Sequence, residues 1–390
     1  MFVLFLIVFV DLIGFGIVIP LLPFYAEHFQ AAPDTVALLM ASYSLAQFIA
    51  APFWGGLSDR IGRKPVLTVS IAGAALSYVM LGFATELWML FAVRAFGGFM
   101  AGNISAAFAT IADITTPENR ARGMGIVGAA FGLGFIAGPA IGGVLAGPDP
   151  LNADYQTPAF AAAALSTIAF LMAVVMLKES LGPDARAHMA TREKKSRLAQ
   201  FREAVSRPQV GLLIILSFLA TFVFAGMEST FAMWSRRQLG WGPEQNGWLF
   251  AGVGIVAAFI QGGMVGRLAK RFGEKNLIVQ GSVFLALGMG VLPFATGVPL
   301  LALAMLFMAY GFSVMTPSLN SLISLGVGAN EQGSIMGVTR SATTMSRVVG
   351  PAWAGVLFAY LGMDWPYYAG AVVMVVVAAL AFRRLESRAA

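Results

Sequence analysis

Twelve long apolar runs, separated by short polar stretches, set the pattern of this 390-residue chain. Each is about 20 residues or longer, the length a helix needs to cross the hydrocarbon core of a bilayer. The first six predicted spans are 2–26, 35–57, 65–84, 87–113, 122–147 and 158–178. The second six are 209–232, 244–267, 275–295, 298–325, 333–361 and 366–382. The expected fold is an all-α polytopic membrane protein. It has an N-terminal six-helix bundle at 1–179, a linker at 180–208 and a C-terminal six-helix bundle at 209–390.

Composition agrees with this pattern. Hydrophobic residues make up 58% of the chain and charged residues 11%, where a soluble domain carries roughly 25% charged. Such a chain cannot cover a surface exposed to water. The net charge of +6 is not a nucleic-acid footprint, because the cations sit in short loops between apolar spans. There is no cysteine, which excludes disulfides and thiolate metal sites. The two histidines, His28 and His188, fall near predicted span ends, so a histidine metal cluster is not expected. The first apolar run continues past Asp11 to about Tyr25 without a small-residue cleavage site, so no cleaved signal peptide is expected.

Positive charge predicts orientation. Of 25 Lys and Arg, only Arg236 and Arg237 fall in loops on one side, and Arg94, Arg340 and Arg347 fall inside spans. The rest lie in the loops after spans 2, 4, 6 and 8 and in the C-terminal tail, so both termini are expected in the cytoplasm. The long polar stretch from Glu179 to Pro208 carries Arg186, Arg192, Lys194, Lys195, Arg197, Arg202 and Arg207. It reads as a linker with an amphipathic helix on the anionic inner leaflet. Binding of a partner is the alternative.

The halves repeat. Gly55-Gly56-Leu57-Ser58-Asp59-Arg60-Ile61-Gly62-Arg63-Lys64 has a weaker copy 211 residues on, at Gly266 to Lys275. Gly55, Leu57, Arg60, Gly62 and Lys64 recur in it. Span 5 carries Gly134, Gly138-Pro139 and Gly142-Gly143, and span 11 carries Gly350-Pro351 and Gly355 in register.

The loop pattern is Gly, three residues, Asp, Arg, any residue, Gly, Arg, Lys. It resembles the signature between helices 2 and 3 of the major facilitator superfamily, which implies that superfamily's twelve-helix fold. The alternative is an ordinary basic turn. Asp113, ending span 4, shares a side with this loop. Its expected contact is Arg63 or Arg60, with Asp59 at a neighbouring helix N-terminus. Gly55, Asp59, Arg60, Gly62, Arg63 and Asp113 form the candidate cytoplasmic gate. The span-5 motif of Gly134, Gly138, Pro139 and Gly142 resembles the one associated with antiporters of the superfamily. Plain helix packing is its alternative.

Charges inside spans are functional candidates, because they are costly unless paired or hydrated. Asp11 lies ten residues into span 1, about 15 Å deep. It is a candidate proton carrier or a structural partner of Arg94 in span 4. Glu228 is the acid of span 7, set among Met227, Phe231, Met233 and Trp234, which suit a planar, partly apolar ligand. A rim pairing with Arg236 or Arg237 is the alternative. Arg340, Thr344 and Arg347 share one face of span 11. Arg347 either pairs with Glu228 or Asp11 or binds an anionic substrate group. Gln47, Asn103 and Gln261 are further polar residues within spans. No phosphate loop, nucleophile elbow or His-Glu-x-x-His motif appears, so no enzyme is expected.

Several stretches together resemble the tetracycline:proton antiporters of the drug-efflux branch. They include Asp11-x-x-Gly14-x-Gly16 with Pro20-x-x-Pro23, Ile111 to Thr115 followed by Glu118 to Arg122, and Leu177-Lys-Glu-Ser180. The resemblance covers nearly the whole chain. It implies Asp11 in coupling or binding, Asp59 and Arg60 in the gate, Arg94, and the Gly138-Pro139 motif. That family has acids in spans 3 and 9 and a histidine in span 8, which this chain lacks. Arg340 and Arg347 are extra. The implied function is proton-coupled efflux of an amphipathic small molecule, such as a tetracycline-like drug, across the plasma (bacterial inner) membrane. The expected partners are that small molecule, protons and the lipid bilayer, with no nucleic acid, for a monomer that needs no cofactor beyond the proton gradient. The alternatives are transport of an anionic metabolite or lysolipid, and a non-transporting receptor or scaffold on the same fold.

Overall fold

The structure is a computed structural model that describes residues 2–101, 103–182, 197–328 and 331–385. Among these residues the regular structure is helical. Helix α1 spans Phe2–His28, with a 3-10 turn at Ile19–Leu21 forced by Pro20. Then come α2 (Pro33–Ile61), α3 (Arg63–Gly82), α4 in two pieces (Leu87–Met100 and Asn103–Ile114), α5 (Pro117–Ala146) and α6 (Gln156–Met176). The second set is α7 (Pro208–Leu239), α8 (Pro243–Phe272), α9 (Glu274–Phe294), α10 (Val298–Leu325), α11 (Gln332–Tyr360) and α12 (Trp365–Arg384). The helix Arg197–Val205 precedes α7.

Ten of these helices are long and apolar enough to cross a membrane. The other two are α4, whose first piece is short, and α11, whose two arginines dilute its apolar character. The helices start and stop where local chemistry dictates. Proline opens α2, α5, α7 and α8, where its missing N–H costs nothing. Glycines at positive φ close α2 (Gly62, 109°), α5 (Gly147, 88°) and α8 (Gly273, 77°). In α8 a π-turn at Ile260–Met264 contains Gly262 and Gly263.

The chain forms two compact units. Unit 1 comprises Met1–Ala32, Ser42–Glu193 and Gly240–Gly254; unit 2 comprises Pro33–Ala41, Lys194–Leu239 and Ile255–Ala390. In unit 1, Leu4, Ile7, Trp54, Leu67, Ile71, Ile111 and Ala173 join α1, α2, α3, α4 and α6 in one core. Trp54 donates its indole N–H to the Phe99 carbonyl at 2.6 Å, which satisfies the one polar group it buries. In unit 2, α9 and α10 cross glycine on glycine: a methyl group added at Gly281 would lie 2.6 Å from the Gly311 carbonyl. Tyr367 of α12 is buried and its hydroxyl lies 3.3 Å from Thr230 of α7.

Candidate functional site

The α2–α3 turn is a single residue, Gly62, whose positive φ lets two helices meet with no loop between them. That geometry folds Arg63 back over the last turn of α2. Its Nη1 donates to Asp59 Oδ1 at 2.8 Å and to Ser58 Oγ at 3.0 Å. Its Nε donates to Asp113 Oδ2, at the end of α4, at 3.1 Å. The Arg63 side chain is 6% exposed, so the acids replace the water its charge has lost. The partner of Asp113 is therefore Arg63; Arg60 is exposed. Asp59 pairs with Arg63. The N-terminus of α3 is capped by Glu179, whose Oε1 accepts the Arg63 N–H at 2.9 Å and whose Oε2 accepts the Lys64 N–H at 3.2 Å. Ser180 donates to Asp113 Oδ2 at 3.1 Å. Glu179 and Ser180, where the first bundle meets the linker, thus belong to the candidate gate cluster. Their sequence signal was an acid and a hydroxyl directly after an apolar span.

The second copy of this turn keeps the backbone and changes the charge. Gly273 repeats the positive φ of Gly62. Lys270 stands where Asp59 stands, and Glu274 where Arg63 stands. Glu274 accepts from Ser321 of α10 at 3.3 Å.

Helix α5 lies along α1 through its glycines. A methyl group at Gly134 would sit 2.8 Å from Leu12 Cβ, and one at Gly138 2.5 Å from Gly16 Cα. One at Gly142 would run into the Ile17 carbonyl. Only hydrogen side chains permit this approach. Pro139, buried beside Gly138, removes a backbone donor within the same contact. Asp11 stands on α1 one turn from this contact, and Ser166 of α6 donates to its Oδ1 at 2.9 Å.

Arg94 is buried on α4, with its guanidinium 4.2 Å above the Tyr43 ring of α2. Among the described residues its Nε has no hydrogen-bond partner. Of the two readings of Asp11, the pairing with Arg94 is not formed: Ser166 serves the carboxylate and the Tyr43 face serves the cation. Gln47 donates to the Ala101 carbonyl at 3.2 Å. Asn103 opens the second piece of α4, and its side chain lies outside what is described.

In unit 2 the corresponding contact joins α7 and α11. Gly350 meets the Phe222 carbonyl, and Ser346 donates to the Phe218 carbonyl at 2.9 Å. Beside this seam Arg347 Nη1 lies 3.4 Å from Glu228 Oε2, with side chains 43% and 18% exposed. Glu228 thus pairs with Arg347. Arg340, two turns earlier, is exposed. On lipid each arginine would cost roughly 2.5–3.5 kcal/mol. The α10 hydroxyl of Ser313 lies 3.4 Å from Gln261 Nε2, at the π-turn of α8. The linker residues 183–196, including Arg186, His188, Arg192, Lys194 and Lys195, lie outside the described residues.

Long apolar helices, internal repetition and charges held within spans define a multi-pass membrane transporter. The family model described as "Major Facilitator Superfamily" matches residues 4–351 and again 237–390. The chain belongs to that superfamily. It is 33% identical over 358 residues to the class C tetracycline resistance protein of Escherichia coli, covering 91% of this chain and 88% of that one. It is 30% identical to Multidrug resistance protein 2 of Bacillus subtilis (strain 168), covering 95% and 91%. Among solved structures, the human organic anion transporter MFSD10 superposes with a TM-score of 0.73 at 26% identity, covering 97% of this chain and 98% of that one. These relatives and neighbours are transporters, not enzymes.

Proposed function

We propose that this chain is a proton-coupled exporter that exchanges an amphipathic small molecule for protons by alternating access. The observation that carries the reading is the seating of α5 on α1. The glycines at 134, 138 and 142, with Pro139, hold α5 against the helix that presents Asp11. A change in how α1 and α5 lie is therefore felt directly at the carboxylate. The similarity to proteins named for tetracycline and multidrug resistance supports export.

In this reading Asp11 takes up and releases the driving proton. A carboxylate inside a span is desolvated, and its one short contact comes from a neutral hydroxyl, which serves either protonation state. The Arg63 cluster latches the cytoplasmic face in one of the two states, and both termini are cytoplasmic. The test uses purified protein in proteoliposomes with an imposed pH difference, following drug and proton flux together over a panel of tetracycline-like and other amphipathic drugs. Asp11→Asn is expected to abolish accumulation driven by the pH difference while leaving ligand-for-ligand exchange. Accumulation by Asp11→Asn at the parental level would refute Asp11 as the coupling site.

A further inference from the structure

Helix α11 has two exposed faces of opposite character. Val349 and Val356, seven residues apart, are 38% and 51% exposed, as suits a face on lipid. Arg347 precedes Val349 by two residues, which places it about 160° round the helix at 100° per residue. Along that second face stand Gly333, Gly337, Arg340, Thr344 and Arg347. Helix α12 shows what this fold turns to lipid: its exposed residues include Val372, Val375, Val376 and Phe382. A face of glycine, threonine and arginine does not belong there, because hydrocarbon solvates none of its charge. It lines a hydrated path.

Arg347 is also loosely held. Its contact with the Glu228 carboxylate is a single one, 3.4 Å long. The same unit holds Arg207 against Glu331 by two contacts of 2.8 Å each. Arg207–Glu331 is a closed fork, with both oxygens engaged. Arg347–Glu228 leaves guanidinium donors facing the path.

We propose that Arg347 is the headgroup site for an amphipathic organic anion, with Arg340 as a second cation on the same face. Glu228 is the internal ligand that the substrate's carboxylate replaces. The inference rests on the transporter reading and names the substrate's charge. It also gives Glu228 a role: it neutralises Arg347 when no anion is bound, so the charge is never left alone within the span.

The probe is a naphthalene carboxylate, compared with its uncharged amide and with the matching naphthyl amine. Binding to the purified full-length protein in detergent is followed by tryptophan fluorescence and calorimetry. The carboxylate is expected to bind at least tenfold tighter than the amide. Arg347→Gln is expected to erase that preference by weakening the carboxylate alone. Glu228→Gln frees the guanidinium and is expected to tighten the carboxylate several-fold, with the amide unchanged. This second variant keeps the test open if Arg347→Gln does not fold. Equal binding of carboxylate and amide, preference for the amine, no binding of any probe, or weaker carboxylate binding in Glu228→Gln would each overturn the proposal. Drug flux driven by a pH difference, measured on the same preparation, tests the exporter reading separately, because it does not depend on which probe binds.

Discussion

Replacing Asp59 by Asn tests the gate at its most sheltered charge. Arg63 is 6% exposed, and Asp59, Asp113 and Ser58 take its donors at 2.8, 3.1 and 3.0 Å. Asparagine keeps an oxygen at the same reach and removes only the charge. Arg63 stays charged, so its bond to the asparagine oxygen is still charge-assisted; what is lost is the carboxylate's own attraction, about 0.2–1 kcal/mol for exposed pairs and somewhat more for one as sheltered as this. The substitution therefore weakens the latch by about 1–1.5 kcal/mol. Asp113 stays in place, so Arg63 keeps one carboxylate and the fold survives. If the cluster exists in one state of alternating access and opens in the other, the equilibrium between them moves by roughly five- to tenfold. The chain has no cysteine, so one introduced at Gly337, where a side chain meets open space, is a clean reporter. Its labelling rate should change by about that factor in Asp59→Asn, transport should fall strongly, and ligand binding should persist. Unchanged labelling and parental transport at equal protein level would show that the cluster only braces the fold.

Three further outcomes follow from the same contacts. Glu179→Ala removes the cap of α3 and should cost about 1–2 kcal/mol, read as a lower Tm in detergent, while Glu179→Gln keeps an acceptor and most of the stability. Gly138→Val places a side chain on the Gly16 backbone and should cost about 1–3 kcal/mol or more and stop transport; parental transport by that variant would show that α1 and α5 need not lie this close. A cysteine at Ala190, in the linker outside the described residues, should react with a membrane-impermeant reagent only from inside, and labelling from outside would reverse the assigned orientation.

Much of this architecture was legible because prolines, glycines and apolar length act locally. Pro33 and Pro117 start helices and Gly62 ends one, wherever the rest of the chain goes. The sequence paired Asp113 with Arg63 or Arg60 and set Asp59 at a helix N-terminus, so the local Asp59–Arg63 contact, four residues apart across a positive-φ glycine, was not read from it. Contacts between distant helices were less legible. Spacing placed Arg94 and Asp11 within spans but could not say which face each presents, and the Tyr43 ring took the cation. Glu179 reaches a helix end more than a hundred residues earlier in the chain, and its place directly after an apolar span does not say which helix end it caps. Arg347 was narrowed to two acids and met the one on the helix packed beside it.

The duplication explains why the halves look alike and do not behave alike. Close packing depends on backbone and glycine, so the α5-on-α1 seam recurs as α11 on α7, with Gly350 against Phe222 in the role of Gly142 against Ile17. Charge obeys no such constraint and has diverged at each equivalent place. The first turn keeps an acid–base lock at Asp59 and Arg63, whereas the second carries Lys270 and Glu274. On α1 a carboxylate is served by a hydroxyl, and on α7 a carboxylate is served by an arginine. A carboxylate on a hydroxyl can change protonation without stranding a cation; one paired with an arginine cannot. If, as proposed, proton exchange falls to Asp11 and ligand exchange to the Glu228–Arg347 pair, separate variants of the two should fail in separate ways, one in coupling and one in binding.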